Sequence, residues 1–254
     1  MLEIIQLPVL NDNYIYLIHE PDSGETAVVD PAVAQPVLDV LAEKNWSLNY
    51  IFNTHHHNDH VGANLELKQQ THCTILASAA DKSRIPGIDK LLNHGDKISL
   101  GNQTTIVIAT PGHTTGHIVF YFAESNALFC GDTLFSMGCG RLFEGSASQM
   151  WHSLQQLKKL PPETQIYCAH EYTLANAQFA LSLEPDNLAL QRRIQQVKTL
   201  RDSNKATIPC TLKQELETNP FLREDSLAIQ QSLKMTEQPS TDIFKRIREL
   251  KDNF

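Results

Sequence analysis

Four side chains that commonly bind metal ions lie within six residues of this chain. The string THHHNDH contains His55, His57, Asp59 and His60. Imidazole and carboxylate groups are ligands of zinc, iron and manganese, and no cysteine is interleaved as in a closed structural zinc site. Two ions fit this density of ligands better than one. The string therefore indicates a catalytic metal centre.

Three further ligand residues each follow an apolar, β-branched segment. His113 follows TTIVIAT and a Pro-Gly turn, Asp132 follows ALFCG, and His170 follows QIYCA. An α/β scaffold builds its site from side chains at the ends of strands. This order argues against a histidine-rich surface loop that collects metal non-specifically. Four other histidines have no such setting and are expected to be ordinary surface or half-buried residues: His19, His72, His94 and His152.

Strand geometry predicts which histidines of the string share a direction. If a strand ends at Thr54, alternation points His55 and His57 to one side and His56 away from them. A turn after His57 then aims the next two ligands at a second point nearby. We therefore expect His56 not to bind metal.

The motifs resemble those of the metallo-β-lactamase superfamily, whose members are hydrolases built on an αββα sandwich. The likeness lies in H-x-H-x-D-H, PGHTTGH, GDTLF and AHEYT. A closer resemblance is to the glyoxalase II family, the hydroxyacylglutathione hydrolases. It is carried by NDNYIYLI, FCGDTLFSMGCGRLFEG, CAHEYTLANAQFAL, NPFLR and RELKDNF, and runs from about Asn11 to Phe254.

The resemblance implies a centre of two divalent ions, with zinc expected and iron or manganese as alternatives. One ion would be held by His55, His57 and His113, and the other by Asp59, His60 and His170, with Asp132 bridging the two. A hydroxide between the ions would be the nucleophile, and Asp59 and Asp132 would be the catalytic residues beside it.

The implied reaction is hydrolysis of an S-(2-hydroxyacyl)glutathione, such as S-lactoylglutathione, to glutathione and a 2-hydroxy acid, a step of methylglyoxal detoxification. The resemblance also implies a set of contacts with the glutathione part: Arg141, Phe143, Tyr172, Asn176, Arg248 and Lys251. The family often has Lys and Tyr where this chain has Arg141 and Phe143. The positive charge is thus kept, while one hydroxyl group is lost.

Two other functions are compatible with the metal motifs. One is another hydrolase of the superfamily, such as a lactonase, β-lactamase or phosphodiesterase; the helical tail and the GCGR and HEYT segments argue against it. The other is a non-hydrolytic diiron redox or metal-binding protein, although the chain has no glycine-rich flavin motif. The sequence also leaves open whether His117 supports a ligand or is simply packed, and whether Cys139 lies near the site.

The elements that position these residues change character after Tyr172. Up to there the patterns predict strands (YIYLIHE, TAVVD, NYIFNT, TILA, TTIVIAT) and helices (PAVAQPVLDVLAEKN, interrupted by Pro36, then NLELKQQ and SASQMWHSLQQLKKL). Beyond it they predict helices separated by prolines, with little strand signal. The sequence and the resemblance together predict an α/β chain, with an αββα metallo-β-lactamase-type catalytic domain over 1–172 and a helical substrate-binding domain over 173–254.

Composition narrows the class of partner. The 254 residues carry a net charge of −8, which disfavours nucleic acid as a partner. Up to Tyr172 there are 9 Lys and Arg against 18 Asp and Glu, and beyond it 12 against 11, so an anionic small substrate is expected to use the later segment. No run is long enough to cross a membrane and no targeting segment is visible. With five cysteines outside CxxC spacing, these features predict cytoplasmic residence. A monomer is expected, and the sequence itself leaves the oligomeric state open.

Overall fold

The computed structural model describes all residues from Met1 to Phe254, which form two compact units. Unit 1 comprises residues 1–109 and 115–131, and unit 2 comprises residues 110–114 and 132–254. None of the helices is both long and apolar enough to span a membrane. Mixed sheets with a helical carboxy-terminal region agree with the predicted α/β class.

Unit 1 contains a six-stranded sheet whose strands follow chain order. Its strands are β1 (Glu3–Val9), β2 (Asn13–Glu20), β3 (Glu25–Val29), β4 (Ser47–Phe52), β5 (Thr74–Ser78) and β6 (Lys90–Leu92). The first three pair antiparallel and the last four pair parallel. The crossovers between the parallel strands carry helices α1 (Gln35–Lys44), α2 (Asn58–Val61) and α3 (Asn64–Thr71).

A second group of antiparallel strands covers the other face of this sheet. It contains β7 (Lys97–Leu100), β8 (Gln103–Ala109), β9 (Ile118–Phe122) and β10 (Ala127–Gly131). Every residue of β2 is buried because alternate side chains face opposite layers. Ile15 and Leu17 join the core beneath α1 and α3, whereas the Tyr16 ring lies 5.6 Å from the Phe129 ring of β10. The predicted strands and the two-sheet arrangement are thus confirmed.

Unit 2 begins with a small hairpin and continues mainly as helices. The hairpin pairs β11 (Leu134–Phe135) with β12 (Gly138–Cys139), and the helices are α4 (Ala147–Leu157), α5 (Thr173–Leu183), α6 (Leu188–Asp202), α7 (Leu212–Thr218), α8 (Leu227–Leu233) and α9 (Ser240–Asp252). A capping box starts α4, in which Ser146 and Gln149 bond to each other's backbone. One face of α4 is apolar and buried: Met150, Leu154 and Leu157.

One local expectation was wrong, and one short strand was not predicted. The helix predicted from Pro31 with an interruption at Pro36 instead begins at Gln35, with Pro36 in its first turn. Proline is favoured there because the first N–H groups of a helix need no helical partner. The segment after Tyr172 contains one short strand, β14 (Cys210–Thr211), which pairs with β13 (Gln165–Cys168). With two residues, β14 is too short to show a period.

Candidate active site

The histidine string lies in unit 1, follows β4 and runs into α2, which contains Asp59 and His60. His55 is fully buried, and its Nε2 lies 3.0 Å from Nδ1 of His57, so both side chains direct a ring nitrogen at the same small volume. Nε2 of His60 lies 3.5 Å from Oδ2 of Asp59. Pairs of neutral imidazole nitrogens and of imidazole with carboxylate are donor sets that suit a divalent cation.

His56 faces away from the first pair. Its Nδ1 donates to Oδ2 of Asp81 at 3.3 Å, and its Nε2 lies 3.4 Å from Nη1 of Arg84. Asp81 is fully buried and is also bound by Arg84. This contact set agrees with the expectation that His56 is not a ligand. His117 stacks on the ring of His55 at 4.8 Å, so it packs against a predicted ligand.

Asp30 is a site residue that the sequence reading missed. It follows β3 directly, is 3% exposed and has a left-handed φ of 48°. Its carboxylate accepts from the Thr54 backbone N–H at 2.7 Å, from the Thr54 hydroxyl at 2.6 Å and from His60 Nδ1 at 2.9 Å. Since the proton of His60 is then on Nδ1, its Nε2 carries the lone pair for a metal. An aspartate at the end of the buried TAVV strand was the available signal.

Asn13 was also missed as a site residue, although it lies in the NDNY motif. Its side-chain amide donates to Oδ2 of Asp59 at 2.9 Å and lies 3.4 Å from the Asp59 backbone oxygen. The Asp59 side chain is 40% exposed, so this bond limits its rotation. Asn13 thereby orients the carboxylate that the sequence assigned to metal.

Unit 2 carries the other three predicted ligands, with Asp132 between two imidazoles. Asp132 Oδ2 lies 3.4 Å from His113 Nε2, and Asp132 Oδ1 lies 3.4 Å from His170 Nε2. All three side chains are nearly buried. Asp132 and these two imidazoles together form a donor set that would suit a divalent cation. His113 Nδ1 donates to the Arg141 carbonyl at 2.8 Å, so its Nε2 would be the atom that binds a metal ion.

A cavity of about 490 Å³ in unit 2 adjoins His113 and Asp132. All six residues predicted to contact glutathione line it: Arg141, Phe143, Tyr172, Asn176, Arg248 and Lys251. The Tyr172 ring lies flat on His170 at 4.8 Å, and the exposed Phe143 ring meets His113 edge-on at 5.2 Å. The cavity thus joins a cationic wall to two of the ligand residues.

The two predicted cations of α9 differ in their engagement. Arg248 is 4% exposed, donates from Nη1 to the Cys139 carbonyl at 2.8 Å and pairs with Asp252 at 2.9 Å. Lys251 lies with its Nζ 5.4 Å from the centroids of Phe179 and of Phe254 and makes one polar contact, to the Ala175 carbonyl at 3.3 Å. Lys251 is therefore the cation more available to a ligand.

Burial shifts the pKa values of Lys251 and Cys139 in opposite directions. Burial lowers the pKa of Lys251 from its ordinary value, and the positive charges of Arg248 and Arg141 lower it further. Burial raises the pKa of Cys139 to about 11, against the opposing effect of Arg248. Because the thiol is neutral near pH 7, Cys139 is not a nucleophile there.

Asn176 serves the scaffold as well as lining the cavity. Its side-chain amide donates to the Ser136 carbonyl at 3.0 Å, in the turn of the β11–β12 hairpin. A Cβ on Gly138 would lie 2.4 Å from the same amide nitrogen, so a larger residue there would displace the Asn176 side chain. The helix that lines the cavity therefore also holds the hairpin.

Two family models together match nearly the whole chain. Residues 10–170 match the metallo-beta-lactamase superfamily, and residues 171–254 match the carboxy-terminal region of hydroxyacylglutathione hydrolase. A protein named hydroxyacylglutathione hydrolase from Methylococcus capsulatus is 55% identical over 100% of this chain and 99% of its own. One of the same name from Rhodospirillum rubrum is 50% identical over 100% and 99%. The crystal structure of ETHE1 from Myxococcus xanthus matches with a TM-score of 0.69 at 25% identity, covering 97% of this chain and 96% of that one.

Proposed function

Because the chain belongs to the hydroxyacylglutathione hydrolases of the metallo-beta-lactamase superfamily, we propose that it hydrolyses S-(2-hydroxyacyl)glutathione thioesters such as S-lactoylglutathione. The products are glutathione and a 2-hydroxy acid. One observation carries this assignment: the region matching the hydrolase carboxy terminus supplies Tyr172, Asn176, Arg248 and Lys251 to a cavity that also contains His113 and Asp132.

Membership of the superfamily implies bound metal ions, and we propose two per chain, with zinc favoured over iron or manganese. The proposed ligands are His55, His57, Asp59, His60, His113, Asp132 and His170. Support comes from the donor chemistry in each unit: paired ring nitrogens from His55 and His57, and a carboxylate flanked by the Nε2 atoms of His113 and His170. Asp30 and Arg141 fix the tautomers of two of these histidines.

Hydrolysis of the thioester would need few protein groups besides the metal ligands. When bound, two divalent cations supply hydroxide at neutral pH and a Lewis acid for the developing oxyanion. Asp132 and Asp59 would carry the negative charge that holds the cations in place, with Asn13 keeping Asp59 oriented. The departing thiolate has a conjugate-acid pKa of about 8.5, so it leaves without a strong general acid. The neutral Cys139 thiol is not used.

Substrate selection would fall to the cavity wall. Glutathione carries carboxylates remote from the thioester, and the cavity presents the positive charges of Arg141, Lys251 and Arg248. Phe143 and Tyr172, both partly exposed at the cavity, offer apolar surface to the acyl and cysteinyl parts. We assign the ligand function to 1–172 and the glutathione contacts mainly to 173–254, with the small-molecule thioester as the partner of a cytoplasmic monomer.

The test is release of free thiol from S-lactoylglutathione by the purified, metal-containing protein. We expect turnover that falls when a chelator removes the ions and returns when zinc is restored. Hydrolysis of a lactone, a β-lactam or a phosphodiester at a higher kcat/KM than the thioester would instead assign the chain to another activity of the superfamily.

A further inference from the structure

The β11–β12 hairpin has a tight turn that depends on outside contacts. Its two strands contain two residues each and are joined through Ser136 and Met137. Met137 has a φ of 54°, a left-handed conformation that costs energy for a residue with a side chain. So short a ladder does not hold such a turn by itself. The turn therefore needs partners elsewhere in unit 2.

Side chains from α5 and from the α7 segment bind every residue around this turn. The Asn219 side-chain amide donates to the carbonyls of Phe135 at 3.2 Å and Gly138 at 2.9 Å. The Met137 backbone N–H donates to Oε2 of Glu215 at 2.8 Å. Asn176, described above, completes the set. The turn is thus held by a buried polar network.

Glu215 is the centre of that network. It is fully buried and forms an ion pair with Arg193, which also donates to the Ser136 hydroxyl at 2.9 Å. Glu215 Oε2 also accepts from Asn219 at 2.8 Å. Burying a charge is costly unless all its polar atoms are bonded, as they are here. We name Arg193, Glu215 and Asn219 the hairpin anchor.

The hairpin in turn fixes two proposed metal ligands. It starts two residues after Asp132, and its return segment passes so close that a Cβ on Gly140 would lie 2.0 Å from the Asp132 carbonyl oxygen and 3.0 Å from His113 Nδ1. The next carbonyl, that of Arg141, accepts the His113 Nδ1 proton. A displaced hairpin would therefore move the Asp132 backbone and remove the acceptor of His113.

We propose that the hairpin anchor is a positioning device for Asp132 and His113 and so determines how tightly the chain retains its metal ions. The proposal rests on the proposed function only for the metal-ligand roles of these two residues. Arg193, Glu215 and Asn219 touch neither ligand; they act through the hairpin backbone.

The test compares Glu215→Gln with the matched control Glu184→Gln. In Glu215→Gln the new NH2 group must face a donor, either Met137 N–H or Arg193. Glu184 is likewise a nearly buried carboxylate of unit 2 paired with an arginine, Arg223 at 2.8 Å, but its side-chain partners Arg223, Ser226 and Asn187 all lie outside the hairpin. Both substitutions damage a buried ion pair, so general destabilisation affects both variants.

Zinc affinity, measured by competition with a chromogenic chelator, is the readout. We expect Glu215→Gln to bind zinc roughly 10-fold more weakly than wild type, which is the smallest loss typical for mutation of a residue that supports a metal ligand. Glu184→Gln should keep the wild-type affinity. If Glu215→Gln does not fold, Asn219→Ala replaces it, because that change removes the donor to both hairpin carbonyls and leaves the Arg193–Glu215 pair intact.

The proposal is overturned if the folded test variant, Glu215→Gln or Asn219→Ala, retains wild-type zinc affinity. It is also overturned if Glu184→Gln loses as much zinc affinity as the test variant. A wild-type chain that binds no zinc would overturn it as well. The measurement needs no substrate. A wild-type protein that binds zinc but releases no thiol from S-lactoylglutathione would refute the proposed function and leave the comparison of zinc affinities valid.

Discussion

At the scale of single residues, Asp132 is the proposed ligand whose loss should have the greatest effect on metal binding and turnover. Its two oxygens face different imidazoles, so no other side chain can replace it at both. Asp132→Ala should abolish turnover through loss of bound metal, measured by elemental analysis of the purified variant alongside the wild type. Asp225→Ala, at an exposed carboxylate, is the control and should retain both turnover and bound metal. Two ions and near-normal turnover in Asp132→Ala would contradict the bridging assignment.

The histidine string allows a comparison between adjacent residues. His57→Ala should cost far more activity and metal than His56→Ala, because His57 directs Nδ1 toward His55 Nε2 whereas His56 is bound by Asp81 and Arg84. Metal content and kcat/KM of the two variants check this. Equal losses of metal would show that His56 also coordinates an ion.

The supporting residues explain what a linear pattern can and cannot predict. The proposed ligands at strand ends could be selected from the sequence because each follows an apolar run that predicts its strand. Asp30 and Asn13 lie far in sequence from the side chains they hold, His60 and Asp59, so only the folded chain reveals their roles. The sequence predicted that Arg248 and Lys251 both contact the substrate. In the structure Arg248 is already hydrogen-bonded to the Cys139 carbonyl, so Lys251 is the more available of the two.

At the scale of elements, helix α9 has a buried apolar face, an exposed face that includes Lys245, and residues at its carboxy-terminal end that line the cavity. Lys251→Ala should raise KM for S-lactoylglutathione about 10-fold with little change in kcat, since a hydrogen bond to a charged group is worth about 1.5 kcal/mol when partly exposed. Lys245, on the exposed side of the same helix, is the control. The increase should shrink at high salt and vanish for a thioester without peptide carboxylates. An unchanged KM would remove Lys251 from the substrate contacts.

The lowered pKa of Lys251 predicts the direction of a pH effect. Burial, then Arg248 and Arg141, disfavour its charged form, so the ammonium loses its proton at a lower pH than an exposed lysine does. Binding of an anionic ligand that needs the proton is complete below that pKa and weakens as pH rises through it. KM should therefore increase on the alkaline side in wild type and stay flatter in Lys251→Ala. Parallel pH profiles for the two proteins would contradict this.

The second sheet and the α4 helix could be anticipated as elements, but their precise ends could not. The β14 strand contains only Cys210 and Thr211, and it forms because β13 supplies a partner rather than because its sequence has a period. The hairpin anchor is similarly invisible in the sequence, since Arg193 and Glu215 are separated by 22 residues and resemble ordinary charges of helix surfaces. Tertiary contacts therefore determine both the β14 strand and the hairpin anchor.

At the scale of the whole molecule, metal binding should contribute to stability. An ion that binds the folded chain and not the unfolded chain shifts the equilibrium by mass action, by about 2.7 kcal/mol at a free concentration 100 times its dissociation constant. Removing metal with a chelator should lower the midpoint of thermal unfolding, and added zinc should restore it. A chelator already saturated with zinc is the control. An unchanged midpoint after verified metal removal would contradict a link between metal binding and the fold.

The burial of every cysteine has a practical consequence for assays. Cys73, Cys130, Cys139, Cys168 and Cys210 are all buried and free of disulfides, and burial raises the pKa of Cys139 to about 11 and that of Cys168 to about 12. An aromatic disulfide reagent reacts with thiolates, so it should leave the native chain unlabelled and label all five cysteines after denaturation. The reagent can then be present throughout turnover, because the rise in absorbance would report only the glutathione that the reaction releases.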